Sequence, residues 1–550
     1  MTKLLSLALA CLLVACGMPA SKPAPQASAS APPLFDNFGD LHRDIGSRMP
    51  AAQRYFDQGL RMAYGFNHDA AGRAFAEAAR LDPACAICVW GQALVLGPNI
   101  NLPMDPATAA QATALATHAA AMSAQATPAD RALIEALALR YADPAPEDRT
   151  RLDAAYADAM AKAAARFPGD DDIAALHAEA LMDLTPWAYW TAAGQQTEHT
   201  PRILGELERV LARNPRHIGA IHYYIHATEA SPDPRKAEPY AELLAALAPG
   251  SGHLVHMPAH TYIRLGRYHD ATLANFTAAN ADGAFLAVCG GSNGVYPLGY
   301  VPHNWHFAAM TAGLTGSRTL ALRAAEQTAK RADRATMGAP PLEFMQMFVV
   351  TPLFARVRFG DWNDILAEPA PAAELPFPAA IRHFARGMAQ ARAGRLEAAK
   401  ADLDALHAIA LDPAMAKVNF SVNRADAVLR VADPLLRGEW LRAQGKHADA
   451  LAALREAVVA EDALNYTEPA DWPLPTRAYL GAALLEAGDA AGASAAYVQD
   501  LRTYPENGWS LQGLAQAQRT LGDATGAADS ERRQRAAWQW ADAPLTASRY

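Results

Sequence analysis

The sequence predicts an all-α protein in which antiparallel helix pairs stack side by side into a solenoid. Three observations carry that expectation. The chain has 550 residues, 51% of them apolar; much of that share is alanine, with valine and isoleucine sparse, a composition that favours helix over sheet. A glycine turn signal returns as G-R-Y (Gly266), G-S-R (Gly316), G-D-W (Gly360), G-R-L (Gly394), G-K-H (Gly445), G-D-A (Gly488) and G-D-A (Gly522), each followed five residues later by an apolar residue, usually alanine. The spacing Gly59, Ala71, Phe75, Ala78, Pro83 returns near the C-terminus as Gly481, Ala493, Tyr497 and Pro505.

Those spacings suit two close-packed helices. Small residues let the helices approach, an aromatic ring fills the gap between them, and proline stops the second helix. The pattern resembles the tetratricopeptide (TPR) repeat, roughly 34 residues long, over most of residues 50–541, with irregular insertions near 98–125, 185–200 and 283–301. The resemblance implies a right-handed superhelix whose concave groove is lined by the first helix of each pair and takes a protein or small-molecule ligand. Fold alone predicts binding, not chemistry.

Composition narrows the classes further. So long a chain exceeds the usual single core, in keeping with a stacked array. Charged residues make up 19%, too many apolar residues accompany them for wholesale disorder, and a net charge of −9 argues against nucleic-acid binding. No apolar run beyond residue 20 reaches membrane-spanning length.

The N-terminus, MTKLLSLALACLLVAC, places Lys3 before an apolar stretch from Leu4 to Ala15, the pattern of a secretory signal. Leu13-Val14-Ala15-Cys16 resembles the lipobox of bacterial lipoproteins, which implies lipidation of Cys16 and attachment to the membrane through that lipid alone. In that family Gly17 after the cysteine implies the outer membrane, with the protein facing the periplasm. Residues 1–16 are thus read as signal peptide and 17–40, rich in Pro, Ala and Ser at their start, as a flexible tether. Export agrees with the CxxC pair Cys85 and Cys88, read as a structural disulfide or packed thiols because no βαβ pattern accompanies it.

Histidine carries the functional signal. Ten of the 17 histidines fall in residues 199–306. In IHYYIHATEA, His222, His226 and Glu229 share one helical face; in GHLVHMPAHTYIRLG, His253, His256 and His260 do the same. His256 follows His222, and His260 follows His226, by 34 residues, one repeat. GYVPHNWHFAAM supplies His303 and His306, displaced from His253 and His256 by 50 residues, one repeat plus a sixteen-residue insertion. By resemblance to TPR proteins these columns face the groove. Neighbouring helices about 8–10 Å apart let imidazoles converge on one ion, and imidazole with a carboxylate suits zinc, copper, iron or nickel. His222, His226, Glu229, His253, His256, His260, His303 and His306 are therefore the candidate ligands of a transition-metal site. A metal-free polar groove is the alternative.

Glu179 and Asp183, four residues apart on one helix, are candidate carboxylate partners of the same groove or a solvated face. Trp187, Tyr189 and Trp190 read as core or as a wall of the site. The segments 84–105 and 465–514 resemble a group of large bacterial TPR proteins that also carries the three histidine segments and implies no activity. The expected organisation is N-terminal repeats over 41–200, central His-rich repeats over 201–345 and C-terminal repeats over 346–550. The leading functional expectation is a ligand- or partner-binding scaffold bearing a metal; a metalloenzyme activating water or dioxygen, or a metal-free assembly adaptor, are the alternatives. A lid formed by the sixteen-residue insertion would separate enzyme from open scaffold.

Overall fold

A computed structural model describes residues 31–289, 294–371 and 374–550. Residues 1–30, on which the signal-peptide reading, the lipidation of Cys16 and most of the Pro/Ala/Ser-rich stretch fall, lie outside the described residues. The described chain is built from α-helices in antiparallel pairs, from Pro50–Tyr64 and His68–Leu81 at one end to Gly508–Thr520 and Ala524–Ala537 at the other. This is a TPR-type solenoid. Its connections follow from the glycines: all seven turn glycines hold a left-handed backbone, with φ between 69° and 82°, which lacks a steric penalty only for glycine. The apolar residue five positions on is buried in every case, from Ala271 to Ala527.

The packing between pairs repeats the same device at both ends. A Cβ built on Gly59 or Gly91 would meet the Phe75 ring at 2.7 or 2.5 Å, and one on Gly481 or Gly513 would meet Tyr497 at 2.4 or 2.2 Å. One aromatic ring from each second helix thus sits directly on the backbone of two first helices.

The array closes on itself. Trp509 donates from its indole to the Gly313 carbonyl at 3.0 Å, Arg358 donates to the Pro473 carbonyl, and the Asp542 amide donates to the Gly316 carbonyl at 3.2 Å. The last hairpins therefore pack on the central ones and narrow the groove between them.

Two expectations need correction. Residues 31–40 are not a tether: Phe38 is buried, the Phe35 amide donates to Gln58 at 2.8 Å, the Gly250 amide donates to the Asn37 carbonyl at 2.8 Å, and the rings of Phe35 and Phe38 pack on Phe285. Two aromatic rings outweigh the chain entropy that keeps a Pro/Ala/Ser segment loose. The division at residue 200 is also not a break in packing, because one apolar cluster runs from Phe38 to Val301. Cys85 and Cys88 are joined as a disulfide at the start of the Ala86–Leu94 helix.

Candidate metal centre

Six histidines form two groups of three. His222, His226 and His253 make the first; His256, His260 and His303 make the second; within each group one donor atom per residue lies within 4.8 Å of the others. Each group takes two histidines one turn apart and a third from farther along the chain. The two are repeat copies of each other: His222 and His226 shift by one repeat to His256 and His260, and His253 shifts to His303 by one repeat plus the insertion. Two close contacts cross the columns read from the sequence, while His226 and His260, which share a column, also face each other at 5.2 Å between ring centroids and form a further donor group with Glu229. His253 Nε2 lies 3.1 Å from His222 Nε2, and His303 Nε2 lies 3.2 Å from His256 Nε2.

His306 stands outside both groups. A third copy would need a histidine one turn later and another from the following helix. Those places hold Met310 and the Phe344–Phe348 stretch, and the His306 ring packs 5.6 Å from Phe348. Glu179 and Asp183 also lie elsewhere. Their helix, Asp171–Met182 and its C-cap, faces the buried Arg140, to which Asp183 is paired, and they are spent on that internal charge.

The Nδ1 protons of four of the six rings are fixed from outside. His222 donates from Nδ1 to the Tyr64 carbonyl at 2.7 Å. His256 donates from Nδ1 to Asn275 Oδ1 at 2.6 Å, and Asn275 is held in that orientation because its amide nitrogen donates to the Ala271 carbonyl at 2.8 Å. Glu229 serves both groups, accepting from His226 Nδ1 at 3.1 Å and from His260 Nδ1 at 2.5 Å. With Nδ1 carrying the proton, Nε2 presents a lone pair. Yet His256 Nε2 is 2.8 Å from His260 Nε2 and 3.2 Å from His303 Nε2, and His226 Nε2 is buried with no hydrogen-bond partner.

Burial, reinforced by neighbouring imidazoles, pushes His222, His253, His256 and His303 well below the usual histidine range, so these rings stay neutral. His260 departs from them. Burial depresses it, but Glu229 and Glu468 outweigh that and raise it to about 9. Burial alone would raise Glu229; beside His260 and His226 it is instead held down to about 2.

Several neighbours escaped sequence reasoning. Glu468 Oε2 comes to 3.3 Å from His260 Nδ1 from a loop over two hundred residues away; its only sequence signal is the departure of NYTEPADW from the repeat pattern. Phe66 occupies the left-handed turn position, φ 54°, that glycine fills in the later hairpins, and its ring lies 4.5 Å from His222 and 5.5 Å from His253. Of the two readings the sequence left for Trp187, wall or core, its ring centroid 5.5 Å from His226 fits the wall.

The insertion covers the histidines. The Tyr296 hydroxyl accepts from the His253 amide at 3.3 Å and donates to Asp282 at 2.8 Å, and the Tyr300 ring stands 4.8 Å from His253. Beneath it is a cavity of about 170 Å³ that touches His226 and His253 of one group and His260 and His303 of the other. It adjoins a wider vestibule of about 900 Å³ across Trp187, Thr467 and Glu468.

No protein-family profile and no curated protein sequence matches the chain. Among solved structures it is similar to the human IFIT1 dimer with m7Gppp-AAAA (12% identity, 90% of this chain and 91% of that one, TM-score 0.34), the APC/C heterotetramer Cut9–Hcn1 (13%, 88% and 73%, 0.30) and yeast Tom70 (10%, 89% and 90%, 0.26). Similarity at that level describes helical repeats and says nothing about a ligand. The TPR-type fold rests on the helix pairs and their glycine turns.

Proposed function

We propose that this protein is a metal-bearing TPR scaffold whose enclosed groove holds transition metal in the two three-histidine groups and binds a small molecule beside it. The observation that carries the reading is His256 Nε2. One lone pair accepts one hydrogen bond well, yet two other Nε2 atoms face it at 2.8 and 3.2 Å. Protons on both His260 Nε2 and His303 Nε2 would crowd two donors onto that one lone pair, and would do nothing for the unpartnered His226 Nε2. A cation at the centre of each group satisfies all of them. Three imidazoles suit zinc, copper or iron and leave a coordination position open. The carbonyl, amide and carboxylate behind the Nδ1 atoms are the partners that orient metal-ligating histidines. When bound, such an ion supplies Lewis acidity. The chain's own part is to aim the rings and keep His222, His253, His256 and His303 neutral.

The inner cavity, about 170 Å³ in volume, favours a small molecule over a peptide or protein. A second reading, metal-activated water or dioxygen chemistry, takes its support from the lid that Tyr296 and Tyr300 form over His253. Export and lipid anchoring through Cys16 belong to the same proposal and rest on the Leu13–Cys16 motif. Element analysis of the purified chain tests the metal: wild type should carry it, and His256→Ala/His260→Ala should lose the share held by the second group. Equal and negligible content in both would end the metal reading. A Cys16→Ser variant should leave the membrane fraction.

A further inference from the structure

The cavity beneath the insertion has two unlike kinds of lining. Imidazoles of both histidine groups, His226, His253, His260 and His303, reach it together with the hydrocarbon of Phe344, Met347, Phe348 and Phe420, and the carboxyls of Glu468 and Asp471 reach it as well. Its volume of about 170 Å³ is close to that of an apolar cavity of about 150 Å³ known to stay dry and take up benzene. A site lined in this way recognises an apolar body that carries an electron-pair donor. Four of the six histidines of the two groups reach this cavity.

The aromatic lining also sets a size limit. Phe348 is itself held, 5.7 Å from Phe344 and 5.6 Å from His306, so the far wall is packed and does not yield to a larger molecule at low cost. Access comes from the vestibule, which shares Trp187, Thr467 and Glu468 with the inner cavity. A ring-sized molecule thus has a route in and a floor to stop against.

We infer that the inner cavity is a binding site for a single-ring aromatic compound bearing an oxygen donor, a phenol, with its ring on the phenylalanine side and its oxygen toward the histidine groups. The oxygen half of this inference rests on the metal reading; the ring half rests on cavity shape alone.

Calorimetry on the full chain, metal-loaded and chelator-stripped, with phenol, toluene and 1-naphthol as probes, tests both halves. Phenol should bind the loaded protein at least about tenfold more tightly than toluene, a difference of roughly 1.4 kcal/mol. In stripped protein the two should bind alike, and 1-naphthol should bind neither form. Met347→Trp should abolish phenol binding with metal content unchanged. Gly299→Leu is the second variant, because a Cβ there meets Phe344 only at 3.5 Å and should fold without strain. Phenol binding that survives in both folded variants, or 1-naphthol binding as well as phenol, would overturn the site. Phenol and toluene binding alike in protein shown by element analysis to hold metal would overturn the oxygen half. Negligible metal in every preparation marks failure of the metal reading and overturns the oxygen half; the ring half is then decided by toluene and the two variants.

Discussion

The Nε2 atoms of His256 and His260 stand 2.8 Å apart although each ring gives its Nδ1 proton elsewhere, one to Asn275 and the other to Glu229. The two residues lie one helical turn apart in sequence, and Pro258 starts a new helix between them. Two lone pairs at that distance repel, so the contact calls for a positive centre: a second proton on His260, which Glu229 and Glu468 raise to about 9, or a cation beside both rings.

Glu229 should therefore matter to both groups. In Glu229→Gln the amide oxygen can accept from only one of the two Nδ1 atoms, and the amide nitrogen repels the other. Loss of such a partner weakens metal binding by about 10- to 100-fold. Chelator competition should show that loss with helical circular dichroism unchanged; wild-type affinity in the variant would deny Glu229 its positioning role.

Phe66 should reveal stored backbone strain. Alanine removes its ring but stays strained at φ 54°, whereas glycine removes the ring and the strain together. Phe66→Gly should thus exceed Phe66→Ala in unfolding free energy by about 1 kcal/mol, with both below wild type because the ring covers His222 and His253. Denaturant titration measures it, and equal midpoints for the two variants would refute the strain.

Asp471 should oppose stability as pH rises. Burial lifts its carboxyl to about 7 despite a hydrogen bond from Asn423, so the folded state holds the proton more tightly than the unfolded chain. The sign follows: this residue costs nothing below the unfolded pKa near 3.8, and its cost grows until pH passes about 7. Asp471→Asn should gain on wild type by about 2 kcal/mol between pH 5 and pH 8. A pH-independent difference between the two would contradict this.

The glycines should split into two classes under Gly→Ala exchange. Gly513→Ala drives a methyl into Tyr497, whose ring lies 2.2 Å from the added carbon, and should cost about 1–3 kcal/mol. Gly205, inside the Thr200–Arg213 helix, has nothing within 4 Å of its would-be Cβ, and its exchange should stabilise by about 0.5–1 kcal/mol. Thermal unfolding of the pair decides it, and a loss at both positions would count against the packing.

The repeat was legible because each hairpin solves the same local problem. A left-handed turn needs glycine, and close helices need alanine and one large ring, so Gly266 through Gly522 and the residues five places on announce themselves. The histidine register was legible for the same reason. The first hairpin hid its turn because Phe66 takes the glycine place, and the tether was overextended because Phe35 and Phe38 have partners only in space.

By itself the sequence determined the helical repeat and the concentration of imidazole on consecutive first helices, since both depend on intervals of a few residues to one repeat. Tertiary structure decided which histidines meet. It set His253 against His222 and His303 against His256 across the columns, left His306 among phenylalanines, turned Glu179 and Asp183 toward Arg140, and brought Glu468 to His260 by closing the solenoid. Those outcomes depend on helix rotation and on contacts hundreds of residues apart, which no local spacing encodes.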